Sequence, residues 1–513
     1  MNAKSRYDIL STGRSQFLNI AEQASDLTLP YLVHEDQYYQ NSARSLITPY
    51  QSVGAKGVVT LASKLMLALL PPQTSFFKLQ VDESMLGKIG GDPRIKSELD
   101  LSFSKIERTI LEAIAASDDR VVVHQALKHL VVAGNALIFM SKDGLKLFPL
   151  SRYVVDRDGD GNVLEIVTKE RISRKIVEEQ YGIKAKDSNT VSDTTSGQSD
   201  DVDVYTHVKR IKGSYIWYQE VFDQMIPATK GKAPFSSNPW IALRFNIVDG
   251  ESYGRGRVEE FIGDLRSLEG LSQAIVEGSA AAAKVVFTVS PSSTTKPSTL
   301  AKAGNGAIIQ GRPDDIGVVQ VGKTADFSTA LQMIGTLERR LSEAFLILTV
   351  RQSERTTAEE VRLTQLELEQ SLGGLFSLLT IDFLKPYLNR KLAVFQRTGD
   401  IPKLPKGIVN PVIVAGLNAL GRGQDRDSLA QFLGTIAQTM GPESIGQFIN
   451  SDEVIKRLAA AQGIDTLNLV KTPQQLQQEQ QAAMQQQQQM ELTKQQGKFA
   501  DVQQKALEAQ QAE

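Results

Sequence analysis

The chain has 513 residues, 41% of them hydrophobic and 23% charged, with a formal net charge of −2 and no cysteine. That length exceeds what one core supports and predicts about three segments. The near-neutral balance excludes a broadly basic surface as the source of nucleic-acid affinity, which scales with the phosphates neutralised, but leaves room for local cationic rings; the absence of cysteine excludes disulfides, thiol catalysis and cysteine metal clusters.

Residues 1 to 70 read as helices. MNAKSRYDILSTGRSQFL has no continuous apolar run and no small-residue cleavage site, so no secretory signal is expected there. Phe17, Ile20, Ala21 and Ala24 keep helical spacing, LPYL at 29 to 32 interrupts it, and VVTLASKLMLALL forms an apolar second helix ended by Pro71 and Pro72. Residues 94 to 117 and 119 to 138 predict two more helices, the latter apolar enough to be a core element. Neither LMLALLPP nor Val121 to Met140 reaches the roughly 18 uncharged residues of a membrane span.

From Leu145 the period changes to two. KLFPLSRYVVDRDGDGNVLEIVTKERIS reads as strand, Asp/Gly/Asn turn, strand. A polar loop over 186 to 202 follows, and DVYTHVKRI, SYIWYQEVF and WIALRFNIV predict strands of one antiparallel sheet. A Gly-rich turn, DGESYGRG, then feeds a helix from about Asp264 to Val286, and 287 to 325 breaks into strand-like pieces between prolines and glycines.

The stretch from Asp326 to Arg397 organises the rest. Phe327, Leu331, Ile334, Leu337, Leu341, Phe345 and Leu348 recur at three- and four-residue steps along a helix on the order of 33 Å long. A polar loop, TVRQSERT, carries Arg351 and Arg355 without an apolar anchor. Thr357 and Glu360 form a capping box that opens a second helix, in which Gly373 and Gly374 predict a kink and Pro386 a further bend or boundary. Residues 401 to 470 read as short helices with Pro and Gly joints. The glutamine-dominated 474 to 513 has too thin an apolar stripe to fold alone.

Three strings match chemical motifs, and each has a plainer explanation. Gly317-VVQV-Gly322-Lys323-Thr324 fits a phosphate loop, but the β-branched run between its glycines reads as a strand. Gly250-Glu-Ser252-Tyr-Gly254 fits a nucleophile elbow, yet His34, His124, His129 and His207 all precede Ser252, the wrong chain order, so a tight turn at a domain joint is expected. Asp156-Arg-Asp158-Gly-Asp160-Gly161 begins like a calcium loop, but Val167 stands where a bidentate Glu belongs, and a hairpin turn fits better, with weak surface cation binding left open. His124 and His129, five apart, do not share a helix face, so no metal site is expected. By subtraction the chain reads as an assembly component that needs no cofactor, not as an enzyme.

The succession QSVGAKGVVTLASKLMLALLPPQT, ALKHLVVAGNALIFM, FPLSRYVVDRDGDGNVLEIVTK, DGESYGRGRVEEFIGDLRSLEGLSQAIVEG, TTAEEVRLTQLELEQSLGGLFSLL and GLNALGRGQD resembles the portal proteins, or head-to-tail connectors, of short-tailed, autographivirus-like bacteriophages. The resemblance runs to about residue 470. It implies an α+β, mainly helical portal fold, assembled as a dodecameric ring around a DNA channel. On this sequence it places a wing over 1–263, stem helices at 264–286 and 326–346, a clip at 287–325, a tunnel loop and kinked wing helix over 347–400, and a crown at 401–470, leaving a Gln-rich tail at 471–513.

The residues the resemblance brings forward are Arg351, Gln352 and Arg355 facing DNA in the channel and Lys296, Arg312, Asp314 and Asp315 on the clip docking surface. Ala280, Ala281, Ala282 and Ala283 would pack the stem, and Gly373 and Gly374 would bend the wing helix. Implied partners are double-stranded DNA without sequence preference, the terminase large subunit, a tail adaptor or tail tube protein, the major capsid and scaffolding proteins, and internal core proteins at the crown. No membrane is implied, and the expected location is the portal vertex of the virion after assembly in the host cytoplasm. Two alternatives remain at this stage: a nucleotide-hydrolysing packaging motor using Lys323, and a non-ring internal scaffold protein.

Overall fold

The computed structural model describes residues 2–34, 46–71, 75–81, 93–142, 144–182, 201–282, 286–293, 296–304, 316–319, 324–347, 373–404, 409–413 and 432–439, together with the single positions 308, 310, 312, 314, 429, 441 and 454. The chain divides into two compact units, Met1–Ala419 and Leu420–Glu513. Within the second, residues 432–439 are helical and Phe432 on that helix is exposed.

The first unit begins with two helices. Helix α1 (Ala3–Asp26) is capped by Asn2, whose side chain accepts the Ser5 N–H at 2.9 Å. Helix α2 (Val53–Leu69) is opened by Gln51, whose Oε1 accepts the Gly54 N–H at 2.9 Å, and it ends just before the two prolines. After strand β1 (Phe77–Val81) come α3 (Pro93–Ala116) and α4 (Asp119–Ala133).

The expected helix over 119 to 138 stops short. Gly134 takes the left-handed conformation, φ 70°, that closes α4, and a Cβ there would sit 2.5 Å from the backbone of Arg255 and Gly256. Asn135–Met140 is strand β2, almost wholly buried. A continuous apolar run looks the same in a buried strand and a buried helix, so periodicity alone could not separate them.

Strand β2 lies between β3 (Leu145–Phe148) and β9 (Trp240–Arg244), both antiparallel to it. The second sheet is a five-stranded antiparallel meander of β4 (Tyr153–Arg157), β5 (Val163–Ser173), β6 (Asp201–Ile211), β7 (Ser214–Val221) and β8 (Gln224–Pro234) in chain order, with helix α5 (Arg174–Tyr181) between β5 and β6. The prediction that WIALRFNIV continues this sheet fails, because β9 pairs Ala242 with Leu137 in the other one. The fifth position goes to β8, QMIPATKGKAP, an edge strand whose exposed Lys230, Lys232 and prolines hide the alternation that marks a strand.

Helices α6 (Arg257–Glu260) and α7 (Ile262–Ala282) lead out to a two-stranded ribbon, β10 (Val286–Val289) with β11 (Ile316–Val319), which encloses α8 (Pro297–Lys302); α9 (Thr324–Ala344) leads back. Helix α7 is described as far as Ala282, and Val286, the last residue of the helix that the sequence predicts, opens a strand instead. Helix α10 (Lys385–Thr398) packs into the main core, and β12 (Val409–Ile413) pairs with β1. That core draws side chains from α1 to α4, from β2 and β9, from the start of α7 and from the end of α9.

Candidate functional site

The expected channel residues Arg351, Gln352 and Arg355 lie outside the described residues, as do Asp315 and Ala283. What the structure does describe is the pair of anchors between which that stretch of chain runs, at Ile347 and at Gly373.

The first anchor is the end of α9. The apolar stripe predicted from the sequence becomes progressively covered along this helix: Leu331 is 57% exposed, Leu337 9%, and Leu341 and Phe345 are fully buried. Gly57 on α2 makes the room. A Cβ at that position would come within 2.7 Å of the Phe345 ring, so only a glycine allows the two helices this approach. Arg257 donates from Nη2 to the Ala344 carbonyl at 3.2 Å, satisfying one of the carbonyls a helix end leaves free.

Leu346 then turns left-handed at φ 54°, Ile347 N–H donates to Ser342 O at 2.7 Å, and Leu346 N–H donates to Glu343 O at 3.0 Å. This paired bonding is a Schellman cap with leucine in the position glycine usually takes. Lys64 on α2 donates from Nζ to the Leu346 carbonyl at 2.5 Å. Sequence reasoning passed over Gly57, Lys64 and Arg257; the available signal was a glycine and a lysine seven residues apart on one face of a largely apolar helix.

The second anchor follows Gly373 and Gly374. Both glycines lie in helical backbone, and a Cβ on either would meet nothing within 4 Å, so close packing is not what they serve. Among the described residues the departure from the α-helical ladder comes one to two turns later, in a π-helical turn over Thr380–Leu384 where Lys385 N–H donates to Thr380 O. Pro386 explains it: with no N–H it leaves the Asp382 carbonyl without its usual partner, and the ladder slips by one residue.

Asp382 on that turn faces Arg157 and Arg244. Burial raises its carboxyl above the usual range although both guanidiniums oppose this. Arg157 donates to the carbonyls of Ser252 (3.0 Å), Gly161 (2.8 Å) and Ala242 (3.0 Å), and burial, with the neighbouring Arg244 charge, pushes it down to about 10. Beyond the turn, Tyr387 Oη donates to Asp119 Oδ2 at 2.5 Å and Lys391 Nζ meets the same oxygen at 2.6 Å, fixing α10 to the first turn of α4.

The remaining motifs resolve into structure. Tyr253 of GESYG accepts the Val155 N–H at 3.1 Å, while Asn135 and Gly254 exchange hydrogen bonds of 2.7 and 2.8 Å, so the string is a turn locked onto β2. Asp158 accepts the Asn162 N–H at 2.7 Å across the β4–β5 hairpin turn, with Gly161 at φ 80°. Gly317 to Val319, the first half of the phosphate-loop string, are strand β11, paired with β10. Among the described residues no group of three His, Asp or Glu could hold a metal ion; His124 bonds Ser63 at 3.2 Å while His129 is buried.

On the outgoing ribbon, Lys296, Arg312 and Asp314 are exposed, and Lys296 caps α8 through its carbonyl. Ala280 is exposed near the end of α7. One small residue at which the two long helices approach is Gly278, where a Cβ would stand 2.9 Å from the Phe327 ring. An Arg340–Asp264 ion pair at 3.4 Å joins their other ends.

The model of the bacteriophage head to tail connecting protein family matches residues 1–470. The chain belongs to this family. Among curated relatives, the connector is 40% identical to the portal protein of Enterobacteria phage T3 over 93% of its own length and 89% of the relative's, and 39% identical to that of Escherichia phage T7 over the same shares. It is also 31% identical to the portal protein of Enterobacteria phage SP6, over 83% and 81%. Among solved structures, the neck of an empty gene transfer agent particle is similar at a TM-score of 0.40 and 11% identity, over 79% of the connector and 90% of that chain. By its family and its curated relatives the connector is a portal-type protein; its structure mixes long helices with antiparallel sheets, and among its described residues no helix is long and apolar enough to cross a membrane.

Proposed function

We propose that the connector assembles as a dodecameric ring at one capsid vertex. Double-stranded DNA passes through it inward under a terminase motor and outward at ejection, and the tail docks on it afterwards. The observation that carries this reading is the 40% identity to a phage portal protein across nearly the whole chain. In this arrangement α7 and α9 form the stem, and the β10–β11 ribbon with α8 forms the clip that presents Lys296, Arg312, Asp314 and Asp315 to the terminase large subunit and then to the tail adaptor. Residues 1–263 and the helix leading into α10 form the wing, next to the capsid and scaffolding proteins. Residues 401–470 form the crown, facing internal core proteins.

The chemistry asked of the channel is modest. A wall that neutralised many phosphates would hold DNA too tightly to let it slide, and a chain of net charge −2 carries no general excess of cations from which to build such a wall. Arg351 and Arg355, repeated around the axis with Gln352 between them, then make one narrow cationic contact that resists backsliding. The test is the double change R351A/R355A in a packaging system. Rings in negative stain should be unchanged while packaged or retained DNA falls several-fold; DNA-filled heads at the normal level would reject the role of the arginines, and a purified chain that forms no closed ring would reject the assembly itself.

A further inference from the structure

We infer that Lys64 is a positioning residue that holds Leu346 in its left-handed conformation and so fixes the direction in which the chain leaves α9. A leucine at φ 54° is disfavoured by about tenfold or more against the right-handed form, because its Cβ crowds the following carbonyl. Glycine is the residue that takes this position without penalty, and none is present. Something outside α9 therefore selects the conformation.

Three contacts converge on it, all from elements other than α9. Phe345 fills the notch left by Gly57, the Arg257 guanidinium takes the Ala344 carbonyl, and the Lys64 ammonium takes the carbonyl of Leu346 itself. Of these only Lys64 touches the left-handed residue. In the right-handed form the Leu346 carbonyl would point along the axis of a continuing α9, away from α2, and the lysine would lose its acceptor. Among the described residues Lys64 makes no ion pair, and this carbonyl is the hydrogen-bond acceptor of a half-buried cation. Burial disfavours leaving such a charge unbonded, which couples the lysine to the conformation of Leu346.

The role in positioning rests on the proposal that the chain beyond Ile347 lines the passage, and two readouts keep the failures apart. The first is hydrogen exchange at the Ile347 amide, which donates to Ser342 O only when Leu346 is left-handed. In the full chain, Lys64→Met should speed exchange at Ile347 about tenfold while amides in the middle of α9 stay protected, and Lys64→Arg, which keeps a donor, should retain most of the protection. In a Leu346→Gly background, where the left-handed form needs no help, Lys64→Met should have little further effect on that amide. Equal acceleration in both backgrounds, or none in either, overturns the inference. The second readout is packaged DNA, which should fall with Lys64→Met and recover with Lys64→Arg. If exchange responds as described but packaging does not, Lys64 still sets the end of α9 and the placement of the channel beyond it is wrong.

Discussion

His129 shows how much a single buried group can impose on the behaviour of the chain. It lies on α4 with 7% of its surface exposed, and its Nδ1 has no hydrogen-bond partner among the described residues. Burial, helped by the nearby Lys128 charge, pushes its pKa down from 6.5 to about 4. Between these values the unfolded chain binds a proton that the folded chain does not, so stability falls as pH drops through that window, by about 3 kcal/mol in all. Above 6.5 both forms are neutral and the contribution is constant. The Glu165 carboxyl, held low by His207 and Arg6 against the effect of burial, adds loss at more acidic pH, so the comparison must be made within one background. Urea unfolding of His129→Leu against the parent should show parallel stabilities above pH 7 and a flatter acid limb in the variant; identical limbs would mean that His129 is not the group responsible. The pair HQALKH suggested only a spacing test for metal ligands. Which of the two histidines is buried depends on how α4 is covered by its neighbours, and no local pattern encodes that.

At the scale of elements, the helices that can be read from the sequence are those with a polar face, and the errors fall where both faces are covered or where an edge strand's polar residues break the alternation. Helices α1, α2, α7 and α9 and the β4–β5 hairpin lie close to where periodicity and turn residues put them. The segment GNALIFM does not, because an all-apolar run carries no period to read, and β8 does not, because its lysines and prolines protect a sheet edge. The candidate site was legible in its axis, the apolar stripe of α9, but not in its supports. Gly57 illustrates why: its meaning depends on Phe345, nearly three hundred residues later. Gly57→Ala should gain up to about 1 kcal/mol of helix propensity but force the Phe345 ring aside at a cost of about 1–3 kcal/mol. A net loss of melting temperature is therefore expected, largely relieved by Phe345→Leu in the same chain. A stabilised Gly57→Ala would show that α9 can move away from α2 freely and that the notch does not hold it. Gly373 and Gly374 make the complementary point. Two glycines announce a bend in the sequence, but they stand where the described helix begins, so that bend falls at the border of the described residues; the irregularity the structure does describe is the π-turn ahead of Pro386, where the hydrogen-bond ladder follows the missing N–H of proline.

For the molecule as a whole, the long helices pose a problem that one copy does not solve. Near the core, α7 and α9 bury Leu265, Leu268, Leu337 and Leu341, yet farther out Val276 is 53% exposed and Leu331 57%. Two helices leaning on each other through Gly278 and Phe327 cover only the faces they share. Fully burying a leucine is worth about 1.5–3 kcal/mol, and in a closed ring every copy can bury its outer stripe against one neighbour. The proposed ring therefore gives the outer half of the stripe the cover that its inner half receives from the core. The consequence distinguishes the two halves of one helix. Leu331→Glu should leave thermal unfolding of the subunit close to the parent, since little of that side chain is buried within it, but place a charge in each interface and shift mass photometry from rings to single chains. Leu337→Glu, two turns toward the core and 9% exposed, should instead damage the subunit itself. Intact rings from the Leu331→Glu chain would mean that neighbouring copies meet elsewhere, and that the exposed stripe on α9 faces something other than a second copy of this protein.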